Sequence, residues 1–206
     1  MLTIGLTGSI ATGKSETSKL FSQANVPVFD ADAEVHKIYK DRSVVEMLAK
    51  YFPEAIQNGV VNRQILGKIV LTDVKKLKAL EVLIHPLVQA QRERFVAKCR
   101  KENAHFVIMD IPLLFETEQG GDVDYVVVVS APENLQRERA LARPGMTEEK
   151  LAGIRFRQVP DAEKRKQADF VIENSGSLHQ LRGQVEALIA KFSAMSREKN
   201  NAGNRP

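Results

Sequence analysis

Gly8-Ser9-Ile10-Ala11-Thr12-Gly13-Lys14-Ser15 follows the apolar run Leu2-Thr3-Ile4-Gly5-Leu6, and this stretch decides the fold. The octet has the G-x-x-x-x-G-K-[ST] spacing of a phosphate-binding loop, or P-loop. Its two glycines let the backbone turn tightly, so that amide N–H groups point towards a polyphosphate. The following helix directs the positive end of its dipole at the same anion. Lys14 is expected to contact the β- and γ-phosphates, and the Ser15 hydroxyl to ligate Mg²⁺.

The alternative interpretation of this octet is an ordinary glycine-rich turn. We expect nucleotide contacts from Gly8, Ala11, Thr12, Gly13, Lys14, Ser15 and the adjoining Glu16.

Length and composition are those of an ordinary globular chain. The sequence has 206 residues, 43% hydrophobic and 27% charged, which suits one α/β domain with insertions. Its longest apolar run, residues 125–129, is too short to cross a bilayer. Met1 leads directly into the first apolar run, so we expect no signal or transit peptide. The single cysteine, Cys99, excludes an internal disulfide and favours a reducing compartment. We therefore expect a cytoplasmic protein.

The net charge of +4 raises the question of a nucleic-acid partner. The basic residues form short clusters, such as 75–78 and 163–166, which are typical of solvated helix faces. The sequence carries no nucleic-acid module signature with interleaved aromatic residues. A modest positive excess is equally expected where the substrates are polyanions such as ATP. We predict small-molecule partners, with neither a nucleic acid nor a membrane, and the oligomeric state is left open.

Strand-like and helical segments alternate along the chain, which predicts parallel strands joined by crossover helices. We expect strands at 2–7, 28–30, 106–110, 125–129 and 170–172. The stretch from 32 to 100 has helical periodicity, with interruptions expected near Pro53, Asn58-Gly59 and His85-Pro86. It is too long for one crossover and predicts an inserted helical lobe. The last helix is expected at 177–193, before a polar, disordered tail.

The predicted fold class is therefore α/β: a three-layer, parallel-sheet, P-loop NTPase-like kinase core with a helical substrate-binding insertion and a helical lid. The core is expected at 1–32, 104–138 and 168–194. The acceptor-binding lobe is expected at 33–103, the lid at 139–167 and the disordered tail at 195–206.

Three aspartates lie at the ends of predicted strands, where open parallel sheets bind ligands. Transfer of a phosphoryl group to an alcohol needs a carboxylate that orients the hydroxyl and takes its proton. Either Asp32 or Asp30 could supply it, and the other could bind Mg²⁺ through water. Asp30 equally suits the N-cap of the next helix. Asp110 ends a strand at the usual position of a second Mg²⁺-organising carboxylate.

Later segments offer further candidates. The loop 111–116 is unusually apolar, so it either lines a substrate pocket or packs locally. Arg139 and Arg143 share a helix face and are the best candidates for lid cations that close over the transferring phosphate. Asn174-Ser175-Gly176 forms a turn that could contact the nucleotide base, or a plain turn. His85 has no partner for a metal site and is more often structural at such a position.

Together these motifs resemble the dephospho-CoA kinase family from about residue 2 to residue 192. The P-loop alone is generic, whereas the set that follows it is much narrower. The resemblance rests on Thr7 to Ser15, Val28-Phe29-Asp30-Ala31-Asp32, Leu83-Ile84-His85-Pro86, Pro112-Leu113-Leu114-Phe115-Glu116 and Ala168-Asp169-Phe170-Val171-Ile172-Glu173-Asn174.

The resemblance implies transfer of the γ-phosphoryl group of ATP, with Mg²⁺, to the ribose 3′-hydroxyl of dephospho-CoA in the last step of coenzyme A biosynthesis. It implies Asp32 as the base and places Arg139 and Arg143 on the lid side. His85 and Leu113-Leu114 would lie near the acceptor. Many members have Gly at the position of Ala11 and Thr at that of Glu16, and the family pattern does not require Asp110.

Two other functions stay open at this point. Another small-molecule kinase, for a nucleotide, nucleoside or shikimate-like alcohol, would share the loop. A GTPase-type switch is disfavoured because the chain has no N-K-x-D string for guanine and no D-x-x-G after a strand.

Overall fold

The computed structural model describes residues 1–116 and 123–202, with side chains up to residue 199. Its contacts divide the chain into two units. The core unit comprises residues 1–29 and the described residues from 99 onwards, and the helical unit comprises Asp30–Lys98. The helical unit thus starts at 30 rather than 33 and ends at 98 rather than 103. Residues 139–167, expected as a separate lid, fall within the core unit in this division.

The core unit is built on a parallel sheet. The strands of the described chain are β1 (Leu2–Gly8), β2 (Val28–Asp30), β3 (Ile56–Gln57), β4 (Val60–Val61), β5 (Phe106–Asp110), β6 (Tyr125–Ser130) and β7 (Phe170–Glu173). Five of them form one sheet in the order β2-β5-β1-β6-β7. β1 pairs in parallel with β5 and β6, and β6 pairs in parallel with β7. Every residue of β5 is buried, as expected for a strand covered on both faces. The parallel α/β class predicted from the sequence is confirmed.

Helices connect these strands and build the helical unit. They are α1 (Lys14–Gln23), α2 (Ala31–Ile38), α3 (Arg42–Tyr51), α4 (Arg63–Leu71), α5 (Val74–Lys101), α6 (Glu133–Leu141), α7 (Glu148–Arg157), α8 (Asp161–Gln167) and α9 (Leu178–Ala202). Oxygen side chains cap several of them: Asp41 at α3, Asn62 at α4 and Thr147 at α7 accept backbone N–H bonds, the usual way to satisfy the first free donors. Among the described residues, no helix combines the length and apolar character needed to span a membrane.

Aromatic side chains close the core on the α9 side of the sheet. Phe192 of α9 is fully buried. Its ring centroid lies 5.5 Å from that of Phe106 and 5.1 Å from that of Phe170, within the range in which tilted aromatic pairs attract. Phe21 of α1 joins the same cluster. The first and last helices of the core unit are therefore fixed by a shared apolar core.

The helical unit has its own core, around Leu48 and Phe52. Its structure differs from the sequence predictions at two places. Asn58 and Gly59 do not merely interrupt a helix. They turn the β3–β4 hairpin with φ values of 49° and 73°, the positive pair that tight hairpins require. Pro86 lies inside α5 and does not end it. The helix continues because Ile84, among other apolar residues of α5, is buried in the core of this unit, which offsets the lost hydrogen bond.

The disordered tail expected at 195–206 is wrong for its first part, because α9 continues to Ala202. The Ser196 hydroxyl donates a 2.5 Å bond to the His105 carbonyl oxygen, and Lys199 Nζ lies 2.6 Å from Asp124 Oδ1. These contacts hold a polar segment whose composition alone predicts disorder. Residues 203–206 lie outside the described residues.

Candidate active site

The loop between β1 and α1 has the backbone geometry that its glycines predict. Gly13 has φ 98°, a left-handed value that favours glycine. A Cβ at Gly8 would lie 2.6 Å from the Val129 carbonyl oxygen, closer than real side chains approach. Ala11 also has a positive φ, 61°, which costs a non-glycine residue about 1–2 kcal/mol.

Polar bonds hold the loop in this shape. The Ser9 carbonyl oxygen accepts from Thr12, both from its N–H at 3.3 Å and from its hydroxyl at 2.9 Å. Asn174 Nδ2 donates a 2.8 Å bond to the Thr12 carbonyl oxygen, and the Ile10 N–H donates a 3.0 Å bond to Gln158 Oε1. The loop is thus tied by two side chains that lie far away in the sequence.

The start of α1 provides backbone donors for an anion. Gly13 occupies the N-cap position, and no side chain of the residues that the structure describes caps this helix. The first N–H groups of a helix have no partner within the helix, and here those groups belong to Lys14, Ser15 and Glu16. Ser15 is exposed, while Glu16 is half-buried. Free amide donors at the positive end of a helix make a ready phosphate site.

Lys14 forms an ion pair with Asp110 at the end of β5. Both side chains are largely buried, with 16% and 5% of their surface exposed. A buried carboxylate is normally paired with a cation or coordinates a metal. Asp110 therefore holds the ammonium group beside the loop, a role that the sequence analysis did not assign to it.

Arg139 and Asn174 occupy the side of the loop next to β7. Arg139 Nη1 donates a 2.9 Å bond to the Asn174 carbonyl oxygen, so the predicted lid cation and the predicted nucleotide contact touch each other. Arg143, four residues on, is exposed. Gly176 lies in the turn after β7, where the exposed side chain of Gln180 approaches it: a Cβ at residue 176 would lie 2.0 Å from Gln180 Oε1 and would displace that side chain.

The aspartates after β2 belong to the helical unit and have different surroundings. Asp30 caps α2, accepting a 2.9 Å bond from the Ala33 N–H. This contact bears out the capping alternative for Asp30 and gives no support to its predicted role in Mg²⁺ binding. Asp32 is exposed in the first turn of α2, and His85 is exposed on α5. Across the described chain, no group of three or more His, Cys, Asp or Glu side chains could hold a metal by itself.

The two leucines of the apolar loop, Leu113 and Leu114, differ in how far they are buried. Leu114 is 3% exposed, and its Cδ1 lies 2.7 Å from the position of a Cβ on Gly5. Its side chain therefore packs on the sheet, which gives no support to a substrate contact of that side chain. Leu113 is 43% exposed and stays a candidate. Local packing thus holds for Leu114, and the lining of a substrate pocket stays a prediction.

The segment between α7 and β7 contains features that the sequence analysis missed. Lys164 belongs to a basic run expected to be solvated, yet its side chain is fully buried, with Nζ 2.7 Å from Glu116 Oε1. The same carboxylate oxygen accepts the Val159 N–H at 2.9 Å. Glu116 closes the quoted P-L-L-F-E string, but nothing in the local pattern of either residue indicates its partner. This segment also borders a cavity of about 590 Å³, lined by Ser9, by residues between the end of β6 and α8, and by Glu173 at the end of β7.

A parallel sheet that carries a P-loop, whose lysine is ion-paired and whose helix starts without a side-chain cap, defines a P-loop nucleotide-binding protein. The comparisons narrow this class. The dephospho-CoA kinase family model matches residues 2–180, and the chain belongs to that family. It is 50% identical over 189 residues to a dephospho-CoA kinase of Mesorhizobium japonicum, covering 92% of this chain and 95% of the relative.

Solved structures agree with this assignment. The crystal structure of TT1252 from Thermus thermophilus matches with a TM-score of 0.81 and 35% identity, covering 92% of this chain and 97% of that one. Dephospho-CoA kinase from Campylobacter jejuni matches with a TM-score of 0.64 and 28% identity, over 93% and 97% of the two chains.

Proposed function

We propose that this protein transfers the γ-phosphoryl group of ATP to the ribose 3′-hydroxyl of dephospho-CoA, giving coenzyme A and ADP. Membership of the family supports the reaction and its acceptor. The proposed binding of the ATP phosphates rests on the loop at the start of α1, whose left-handed backbone depends on glycine and whose helix has no side-chain cap. A loop already held in shape can stabilise charge in the transition state without reorganising.

The proposed roles divide between the phosphate and acceptor sides. Lys14 and the free amides of the loop bind the phosphates, with Arg139 and Arg143 as lid cations. We assign Asn174 and Gly176, which belong to the turn after β7, to the binding of the nucleotide. The exposed carboxylate of Asp32 orients the acceptor hydroxyl and takes its proton as the oxygen attacks the γ-phosphorus in line with the departing ADP.

Acceptor binding is proposed for the helical unit through His85, and for Leu113 of the core unit. We further propose that Mg²⁺ is the metal of the reaction. Kinases hold it with one or two protein ligands plus substrate phosphates, so the absence of a larger acidic cluster among the described residues is compatible with it. The Ser15 hydroxyl and Asp110 are the proposed protein ligands, and the bound ion would neutralise phosphate charge. A cytoplasmic setting follows from the reducing environment favoured by the lone cysteine.

An acceptor panel tests this proposal. The full-length protein with Mg²⁺ and ATP is assayed by mass spectrometry against dephospho-CoA, AMP, uridine and shikimate. We expect 3′-phosphorylation of dephospho-CoA, at a rate at least 100-fold above that with any other acceptor. Preferred transfer to another acceptor would overturn the assignment.

Two variants test the roles. Asp32→Asn should lower kcat by orders of magnitude while ATP affinity changes little, because the amide cannot accept the proton. Lys14→Ala should weaken both nucleotide binding and turnover. A normal kcat in Asp32→Asn would remove Asp32 from the base role.

A further inference from the structure

Gln158 contacts the phosphate loop from outside the expected motif. Its Oε1 accepts a 3.0 Å bond from the N–H of Ile10, two residues into the loop. It is the C-cap residue of α7, with extended backbone angles, and its own N–H bonds the Arg155 carbonyl oxygen at 3.1 Å. The side chain therefore joins the end of a helix in the predicted lid segment to the phosphate-binding backbone.

The backbone around Gln158 is fixed by buried groups. The next residue, Val159, donates its N–H to Glu116 Oε1 at 2.9 Å. Glu116 is held by Lys164, which has no exposed surface. Asp161 Oδ2 accepts a 2.6 Å bond from the Ser130 hydroxyl at the end of β6. The amide of Gln158 is thus presented to the loop from a rigid base.

The contact with Gln158 is one of two that bracket the strained residue of the loop. Gln158 takes the N–H of Ile10, and Asn174 donates to the carbonyl oxygen of Thr12. Ala11, with φ 61°, lies between these two positions. A non-glycine residue keeps a left-handed conformation when its surroundings over-determine it, and a side-chain bond on each side of it does so here.

We propose that Gln158 is a positioning residue of the phosphate site: by holding the Ile10 N–H, it keeps Ala11 left-handed and the following amides aimed at a polyphosphate. It acts through the loop backbone and is not a catalytic residue. The inference rests on the proposed function only in sharing its phosphate site, since it makes no statement about the acceptor.

The chain offers a matched control in Gln136. Gln136 also lies in the core unit, lines the same cavity and makes one bond to the backbone, from Nε2 to the Ala131 carbonyl oxygen at 2.7 Å. Its bond is not to the phosphate loop. Gln158→Met and Gln136→Met each keep the side-chain length and remove the amide, so a general loss of stability should affect both alike.

The test measures nucleotide binding and loop protection in the full-length protein, without an acceptor. Isothermal titration calorimetry with Mg²⁺ and ADP should give a Kd about tenfold higher for Gln158→Met, the usual effect of one lost hydrogen bond. Gln136→Met should stay within about twofold of the wild type. Amide hydrogen exchange should show faster exchange across residues 8–15 in Gln158→Met alone.

Gln158→Glu provides the rescue, because its carboxylate keeps an acceptor oxygen for the Ile10 N–H. We expect wild-type exchange protection of the loop in this variant, a readout that does not depend on the charge of the nucleotide. Equal Kd values for Gln158→Met and Gln136→Met, or unprotected loop amides in Gln158→Glu, would overturn the inference. Failure of dephospho-CoA phosphorylation in the wild type would refute the proposed acceptor and leave this result standing.

Discussion

Replacing Gly13 by alanine separates two reasons for a glycine in the loop. Residue 13 has φ 98°, and its Cβ would lie 2.0 Å from Asn174 Nδ2. Gly145 has a similar φ of 73°, but a Cβ there would meet nothing within 4 Å. Gly145→Ala therefore imposes backbone strain alone. Gly13→Ala adds the displacement of a buried amide that donates to the Thr12 carbonyl oxygen.

The expected magnitudes follow from these contacts. Left-handed alanine costs about 1–2 kcal/mol at either site. At Gly13, leaving the Thr12 carbonyl oxygen without its donor adds about 1–3 kcal/mol. For a chain of this length, 1 kcal/mol corresponds to about 2–4 °C in Tm. We expect Gly145→Ala to lower Tm by about 2–8 °C and Gly13→Ala by about 4–20 °C.

Calorimetric melting of both variants, followed by titration with Mg²⁺ and ADP, measures these effects. Gly13→Ala should also lose most of its nucleotide affinity, because the displaced Asn174 amide no longer holds the loop backbone. If the two variants melt within 1 °C of each other and bind nucleotide equally well, the close approach of Asn174 to residue 13 has no energetic consequence and the reasoning fails.

Three further substitutions test other contacts. Although burial acts to raise it, the pKa of Asp124 is lowered by hydrogen bonds from Lys199 and from Thr3. Its stabilising contribution is therefore present above the unfolded pKa of about 3.9 and lost as pH falls through the lower folded value. Asp124→Asn should melt earlier than the wild type at pH 7, with the difference shrinking as the pH falls below the unfolded pKa; a constant difference would count against the shift. Ala11→Gly should change stability by less than about 1 kcal/mol, because relief of strain offsets the greater freedom of the unfolded chain; a large loss of nucleotide binding would contradict this. Lys164→Met leaves the Glu116 carboxylate buried without its cation and should cost about 3–5 kcal/mol in urea unfolding, with partial recovery in the double variant Lys164→Met/Glu116→Gln.

Local patterns were enough to predict the core. The P-loop octet and the apolar runs that become β1, β5 and β6 each carry their information within a few neighbouring residues. The β3–β4 hairpin was missed because its strands have two residues each, too short for any alternation to appear. Asn58-Gly59 was recognised as a break, but a break does not show what lies on either side.

The remaining site residues depend on partners far away in the chain. Lys164 has the sequence context of a solvated lysine, and only the carboxylate of Glu116, supplied by the loop after β5, explains its burial. Gln158 contacts a loop 148 residues earlier, and a single glutamine at a helix end carries no pattern of its own. Pro86 was misjudged for a related reason, since the burial that keeps α5 continuous involves other helices.

The position of α9 late in the sequence affects how the chain folds while it is being synthesised. α9 supplies Phe192 to the aromatic core and ties the segments around His105 and Asp124 through Ser196 and Lys199. A nascent chain lacks these contacts until α9 has left the ribosome. By then β1 and its loop have long been translated. The apolar surface that α9 covers therefore stays exposed until this helix has been made, and such a state is open to chaperone capture.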